Sequence, residues 1–235
     1  MDPMNEKTKV YNVIIMDRSG SMWSIQKPAI SGYNEVLGGI KAAAKSFADT
    51  QEQFFTLVLF DSTSIDEVYW NAPVEKAQIL TEKTYVPGAS TPLYDAMGRT
   101  LNKLEKELQD DDNHSVAVTI ITDGYENASR EYSLTSIRMM IDHLKKQGWT
   151  FAYMGTDHDV EGVTVSLSIS NVIKFEKTGE DTLRTFKEES ASRKRWMRDI
   201  DMYRRSNPNA TKEERIAFNT KLAEKYYKKD EEDKD

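Results

Sequence analysis

The sequence predicts an α/β protein with a mainly parallel sheet and helices on both of its faces. Three observations carry that prediction. Short apolar runs of strand length recur at residues 10–16, 54–60, 116–122 and 149–154. Amphipathic helical patterns lie between most of them, the alternation expected of a parallel sheet with crossover helices. Two of the runs stop abruptly at an aspartate, Asp17 and Asp123, as buried strands do where they reach an exposed edge.

Each element follows from its residues. Residues 10–16 form the first strand, and the stretch Asp17-Arg18-Ser19-Gly20-Ser21-Met22 is a polar loop able to turn sharply. A helical stripe follows Pro28, with Ile30, Tyr33, Val36, Leu37, Ile40, Ala44 and Phe47 on one face. Gly38 and Gly39 either weaken this helix or admit a close neighbour. Residues 54–60 read as a fully buried strand. Residues 64–72 follow too soon for a crossover helix and are expected antiparallel to it. Val68 and Trp70 alternate there with polar residues, the pattern of an edge strand with one wet face. Residues 73–85 show no regular pattern.

Thr91 before Pro92 reads as an N-cap and a first helical position, opening a helix to about residue 108 with Leu93, Met97, Leu101 and Leu104 on its apolar face. Residues 110–112 are an acidic turn, expected in solvent. After the strand at 116–122 comes Asp123-Gly124. Ser133 is a second N-cap, for a stripe of Leu134, Ile137, Met140, Ile141 and Leu144 closed by Gly148. The strand at 149–154 is stopped by Gly155-Thr156-Asp157, and residues 171–175 make a last short strand.

The bulk properties narrow the function. The chain has 235 residues, a formal charge of −7 and no cysteine. A disulfide, a zinc–thiolate site and a cysteine nucleophile are therefore excluded. The acidic balance argues against a wholesale nucleic-acid binder, and no stretch approaches the roughly 18–20 apolar residues of a membrane span. Residues 1–9 read as a loose polar leader without a signal-peptide core, so a cytoplasmic location is the default expectation. From residue 179 charged residues dominate. We read 179–235 as a helical extension docked through residues such as Phe186, Trp196, Ile200 and Leu222, with a charged, disordered end. The basic cluster Arg193, Lys194, Arg195, Arg198, Arg204 and Arg205 is interspersed with acids, which favours pairing within the helices over an anionic partner.

In parallel α/β sheets, sites lie beyond the carboxyl ends of the strands. Asp17, Ser19, Ser21, Thr91 and Asp123 all fall on that rim. They are hard oxygen donors and suit a small divalent cation, with Mg2+ preferred and Mn2+ or Ca2+ as alternatives. His158 and Asp159 lie near the same rim, and Asp61 ends a strand but serves a turn. Arg18, Met22 and Trp23 sit beside the loop, where they either shape partner choice or pack it.

Asp-x-Ser-x-Ser at 17–21, a threonine after a Gly/Ser-rich turn at 88–91 and Thr-Asp-Gly at 122–124 occur in that order. Over residues 10–178 this resembles von Willebrand factor A (VWA) domains with a metal-ion-dependent adhesion site. The resemblance implies a Rossmann-like three-layer α/β/α fold, its sheet six-stranded with five parallel strands and one antiparallel edge. It implies that Ser19, Ser21 and Thr91 bind the metal, Thr91 directly or through water. Asp17 and Asp123 would act through water or by orienting hydroxyls. The open position would take an Asp or Glu carboxylate of a partner protein. The compact motifs look more like bacterial members than animal ones. In some members the last helix of the domain shifts with metal coordination.

Two other readings compete. Asp17 could serve a metal-dependent phosphatase-like hydrolase, but the second acid such enzymes keep two residues on is Ser19 here. No Gly-x-x-x-x-Gly-Lys or Gly-x-Ser-x-Gly motif is present. Alternatively, the domain is structural and its site inactive, against which the five retained ligands argue. The expected role is a binding module, not an enzyme.

Overall fold

A computed structural model describes residues 7–156 and 160–228. The first six residues of the leader, residues 157–159 with His158 and Asp159, and the charged end from 229 lie outside the described residues.

Among the described residues, six strands form one sheet: β1 (Thr8–Asp17), β2 (Gln51–Asp61), β3 (Ser64–Pro73), β4 (His114–Ile121), β5 (Thr150–Thr156) and β6 (Asn171–Phe175). Their order is β3-β2-β1-β4-β5-β6. All neighbouring pairs are parallel except β2 with β3, which is antiparallel and sits at the edge, as the short connection requires. The fold class read from the sequence is the one observed.

Side chains of β1 alternate between the two faces because a strand repeats every two residues. Val10, Ile14 and Met16 enter the core shared with α1 (Gln26–Ser46) and α5 (Gly179–Ser206), together with Tyr33, Leu37 and Phe186. Tyr11, Val13 and Ile15 enter the opposite core, with Met97 and Leu101 of α2 (Leu93–Leu108) and Ile137 and Ile141 of α3 (Leu134–Lys146). Ser133 caps α3 as expected, in a capping box with Ser136, and Gly148 beyond its end has a φ of +82° that favours glycine. Among the described residues, three short pieces have no counterpart in the sequence reading: a 3-10 turn, Gly20–Ile25, leading into α1, a second 3-10 turn, Val74–Lys76, and the helix α4 (Val160–Ser166). Pro28 accordingly lies in the first turn of α1 and does not precede it.

The last helix, α6 (Lys212–Ala223), lies at the amino ends of the strands, where Asn219 bonds Ser115 at 3.2 Å. The acidic turn at its side is tied down as well as wet: Asp111 pairs with Lys9 at 3.1 Å, and Asp112 with Lys212 at 2.5 Å.

Of the basic cluster, Arg193 is buried, whereas Lys194, Arg198 and Arg205 are exposed. Arg193 is wholly buried and bridges α5 to the sheet: its guanidinium bonds Glu189 at 3.0 Å, Thr119 at 2.7 Å and Asn12 at 3.2 Å. Tyr226 and Tyr227 donate their hydroxyls to Glu189 at 2.9 and 2.7 Å, so the chain beyond α6 closes the same network. A buried ion pair is tolerable only with its remaining polar positions filled, as they are here. Arg205 pairs with Asp201, and Arg195 bonds Ser192.

The glycines of α1 part company. A Cβ at Gly32 would lie 2.2 Å from the Phe186 ring, and one at Gly39 would lie 2.8 Å from Ser190 Oγ. At Gly38 it would meet nothing within 4 Å. Close approach of α1 to α5 is thus a matter of Gly32 and Gly39. Gly38 only weakens the helix. Helix propensity alone favours Ala over Gly by roughly 1 kcal/mol at each site. We therefore expect Gly38→Ala to stabilise the fold by up to about 1 kcal/mol. Gly32→Ala should destabilise it by about 1–3 kcal/mol, since overpacking against Phe186 outweighs the propensity gain. Urea midpoints of the two variants should move in opposite directions.

Candidate metal centre

The strand order reverses direction at β1: the chain continues to β2 on one side, and β4 lies on the other. Loops at the carboxyl ends diverge at such a point and leave a crevice. Asp17 ends β1 there with no exposed surface. Its Oδ1 accepts from Ser19 N at 2.6 Å and its Oδ2 from the Thr122 hydroxyl at 2.6 Å. Its main-chain oxygen accepts from the Tyr85 hydroxyl at 2.5 Å. Burial pushes the Asp17 carboxyl up to about 6, although the bonds from Thr122 and Ser19 pull the other way; Asp123 adds a smaller like-charge push.

The two loop serines face each other, Oγ to Oγ at 3.0 Å. Ser21 donates to Asp123 Oδ1 at 2.5 Å. Asp123 Oδ2 is buried and receives no hydrogen bond. The Lys177 ammonium stands 2.9 Å away, an ion pair without hydrogen-bond geometry.

Thr91 corrects one expectation. It does not cap α2: Pro92 occupies the cap position, and no side chain of the cap bonds the helix. The first helical amides are instead taken by the following loop, Tyr94 N by Glu126 at 3.0 Å and Asp95 N by Ser129 at 3.0 Å. The helix begins one residue later than the Thr91-Pro92 pair suggests, and proline at the cap has no side-chain acceptor, so Glu126 and Ser129 take the amides that a cap side chain would. The Thr91 hydroxyl is thereby left to the rim. Asn127 clamps its backbone from both sides, accepting from Thr91 N at 2.8 Å and donating its own N–H to Thr91 O at 3.1 Å. The first two loops are zipped together as well, by Gly20 N to Ala89 O at 3.0 Å and Gly88 N to Arg18 O at 2.8 Å.

The structure brings all five residues to one place. A Cβ built on Gly124 would stand 2.9 Å from Ser21 Oγ, 3.3 Å from Thr91 Oγ1 and 3.8 Å from Asp17 Oδ2, so oxygens of the first two loops surround one point at the backbone of the third. Glycine is required there because a side chain would fill that space. Among the described residues no three His, Cys, Asp or Glu side chains gather as a metal cluster; this set is two carboxylates and three hydroxyls. An all-oxygen set with a buried, hydrogen-bond-free carboxylate oxygen fits a hard divalent cation.

The neighbours divide as follows. Arg18 turns to Asp61 and Asp66, at 2.8 Å each, and Met22 is buried, so both pack the loop. Asp61 serves its turn through Thr63 N at 2.7 Å. Trp23 remains exposed on the rim. Sequence reasoning missed Tyr85, Asn127 and Lys177. They lie in irregular segments, where neither periodicity nor capping patterns single out a residue.

Neither family models nor curated protein sequences give a match to this chain. Solved structures do. The vWF domain of the type V pili tip protein Mfa5 from Porphyromonas gingivalis aligns over 80% of this chain and 95% of its own, with a TM-score of 0.56 and 11% identity. The chain has the von Willebrand factor A fold. The SpRpn10 VWA domain aligns over 77% of this chain and 95% of its own, with a TM-score of 0.50 and 6% identity. The pilus adhesin SpaC from Lactobacillus rhamnosus GG matches over 79% of this chain but only 30% of its own length, with a TM-score of 0.50 and 12% identity. At such identities the VWA likeness concerns the backbone and carries no residue roles.

The burial of Asp17 has a stability consequence. Its folded value of about 6 lies above the ordinary carboxyl value near 4, so the folded protein holds more protons between those limits. Stability contributed by this group is present below about pH 4 and is lost as pH rises through about 6. In EDTA at pH 7.5, Asp17→Asn should be more stable than the parent by about 1–3 kcal/mol in urea unfolding. The difference should vanish by pH 4.

Proposed function

We propose that this VWA domain is a metal-dependent protein-binding module rather than an enzyme. The observation that carries the reading is the convergence of Asp17 and Ser21 oxygens from one loop and the Thr91 oxygen from another around the Gly124 backbone of a third. Ser19, Ser21 and Thr91 would present hydroxyls to the ion; Asp17 and Asp123 would orient them and balance its charge. A bound Mg2+, with Mn2+ or Ca2+ as substitutes, supplies an electrophile able to accept one further anionic oxygen. Two carboxylates roughly neutralise a divalent ion, while neutral hydroxyls leave it attractive to a carboxylate from outside. The natural ligand of such a site is an Asp or Glu side chain of a partner protein.

The chain's own residues set the terms of that binding. Asp17 must give up its proton for the site to load, so affinity for the ion should fall as pH drops below about 6. Tyr85 and Asn127 hold the Asp17 and Thr91 backbones in place. Exposed Trp23 and Tyr125 flank the serine and aspartate loops and offer apolar area to a docked partner. Ser19 stands where a hydrolase of the competing type keeps its second acid, which is why we favour holding a carboxylate over cleaving a bond. The pilus adhesin among the similar structures is consistent with a binding role.

The test is direct. Metal-stripped protein should bind one equivalent of Mn2+ by calorimetry, with affinity dropping several-fold between pH 7 and pH 5. Asp17→Ala and Ser21→Ala should abolish or sharply weaken the binding. Protein partners captured from lysate in Mg2+ should be lost in EDTA and with Asp17→Ala alike. Capture indifferent to both treatments, or Mg2+-dependent phosphatase turnover abolished by Asp17→Ala, would contradict the proposal.

A further inference from the structure

Lys177 belongs to no part of the oxygen constellation, yet its ammonium reaches Asp123 Oδ2 at 2.9 Å. The Asp123 side chain is fully buried, while that of Lys177 keeps 38% of its surface exposed. The lysine comes from the edge of the sheet, two strands from β4: it lies in the turn between β6 and α5. That turn is held at both ends. Thr178 caps α5 by accepting from Asp181 N at 3.2 Å, and Glu176 N donates back to Asp181 at 2.8 Å. The backbone of Lys177 is thus fixed, and only its flexible side chain spans the gap. The other cation near the site, Arg18, is committed to Asp61 and Asp66.

A buried carboxylate without a counter-charge is costly, and an ammonium offsets that cost. A divalent ion held by the same carboxylate and the neighbouring hydroxyls cannot share the space, because two positive centres a few ångströms apart repel strongly in a partly buried site. We propose that Lys177 is a tethered cation that competes with the divalent ion for Asp123, so that loading the site and expelling the lysine arm are one event. Lys177 thereby lowers affinity for the ion and reports its arrival at the turn that starts α5. The inference rests on the metal-binding reading above.

The experiment uses the full chain with Mn2+ as probe. Calorimetry compares the parent with Lys177→Met and with Lys146→Met, which removes the same charge from an exposed position at the end of α3, at the opposite end of the sheet. Lys177→Met should bind Mn2+ about tenfold more tightly, the loss of one close like-charge contact, and Lys146→Met should match the parent. In the parent, acetylation of Lys177 read by mass spectrometry should be several-fold faster in Mn2+ than in EDTA, a readout that needs no variant. Unchanged or weaker Mn2+ affinity in a folded Lys177→Met protein, or Lys177 labelling indifferent to Mn2+, overturns the lysine inference while leaving the metal site intact. Absence of Mn2+ binding by all three proteins overturns the metal reading and this inference with it.

Discussion

The carboxylate of Asp17 sits at the end of the central strand, fully buried, with hydrogen bonds where a counter-ion would ordinarily be. Keeping it there is unfavourable, as its raised pKa records. The surrounding architecture follows from that constraint. Tyr85 grips the strand end, Thr122 supplies a hydroxyl from the neighbouring strand, and the serine loop folds back to give an amide. Asp123 arrives beside it from β4, bringing a second carboxylate into the same crevice. A fold does not concentrate buried acids without compensation, and strain of this kind gathers at functional positions.

The opposite requirement, a rigid frame, is met on the α1–α5 face. Arg193 and Glu189 form a buried pair whose remaining polar positions are filled by Asn12, Thr119, Tyr226 and Tyr227. The pair fixes α5 to the middle of β1 and β4, the two strands whose ends carry the aspartates. Phe186 over Gly32 presses the same helix onto α1. The turn at the start of α5 reaches the rim through Lys177, so the sheet, the last long helix and the candidate site are mechanically continuous. Such continuity is what a coupling between ligand and helix requires, since a ligand shifts a structure only through differential contacts with its states.

Much of this was legible in the residues. Apolar runs and helical stripes fixed the layers, because hydrophobic periodicity is set by the elements themselves. The five rim residues stand out in the sequence because three short motifs fall at predicted strand ends and a helix start. What escaped notice depends on tertiary geometry. The cap at α2 comes from Glu126 and Ser129, more than thirty residues away in sequence. Gly32 and Gly38 look equivalent in sequence, and only the position of Phe186 tells them apart. Tyr85 lies in a stretch without periodicity, yet its buried ring and hydroxyl support the site. In sequence Arg193 reads as one member of a basic cluster paired within its helix; burial gives it a different role from Lys194 beside it, which is exposed.

On the proposed function, oxygens from three loops share one divalent cation. A crystal of this chain soaked in Mn2+ and measured at a wavelength where manganese scatters anomalously tests it most directly. One strong anomalous peak should appear in the crevice, within coordination distance of the Ser19 and Ser21 hydroxyls and beside Thr91, with Asp17 and Asp123 around it. No peak there, or manganese bound only at surface carboxylates elsewhere, would contradict it.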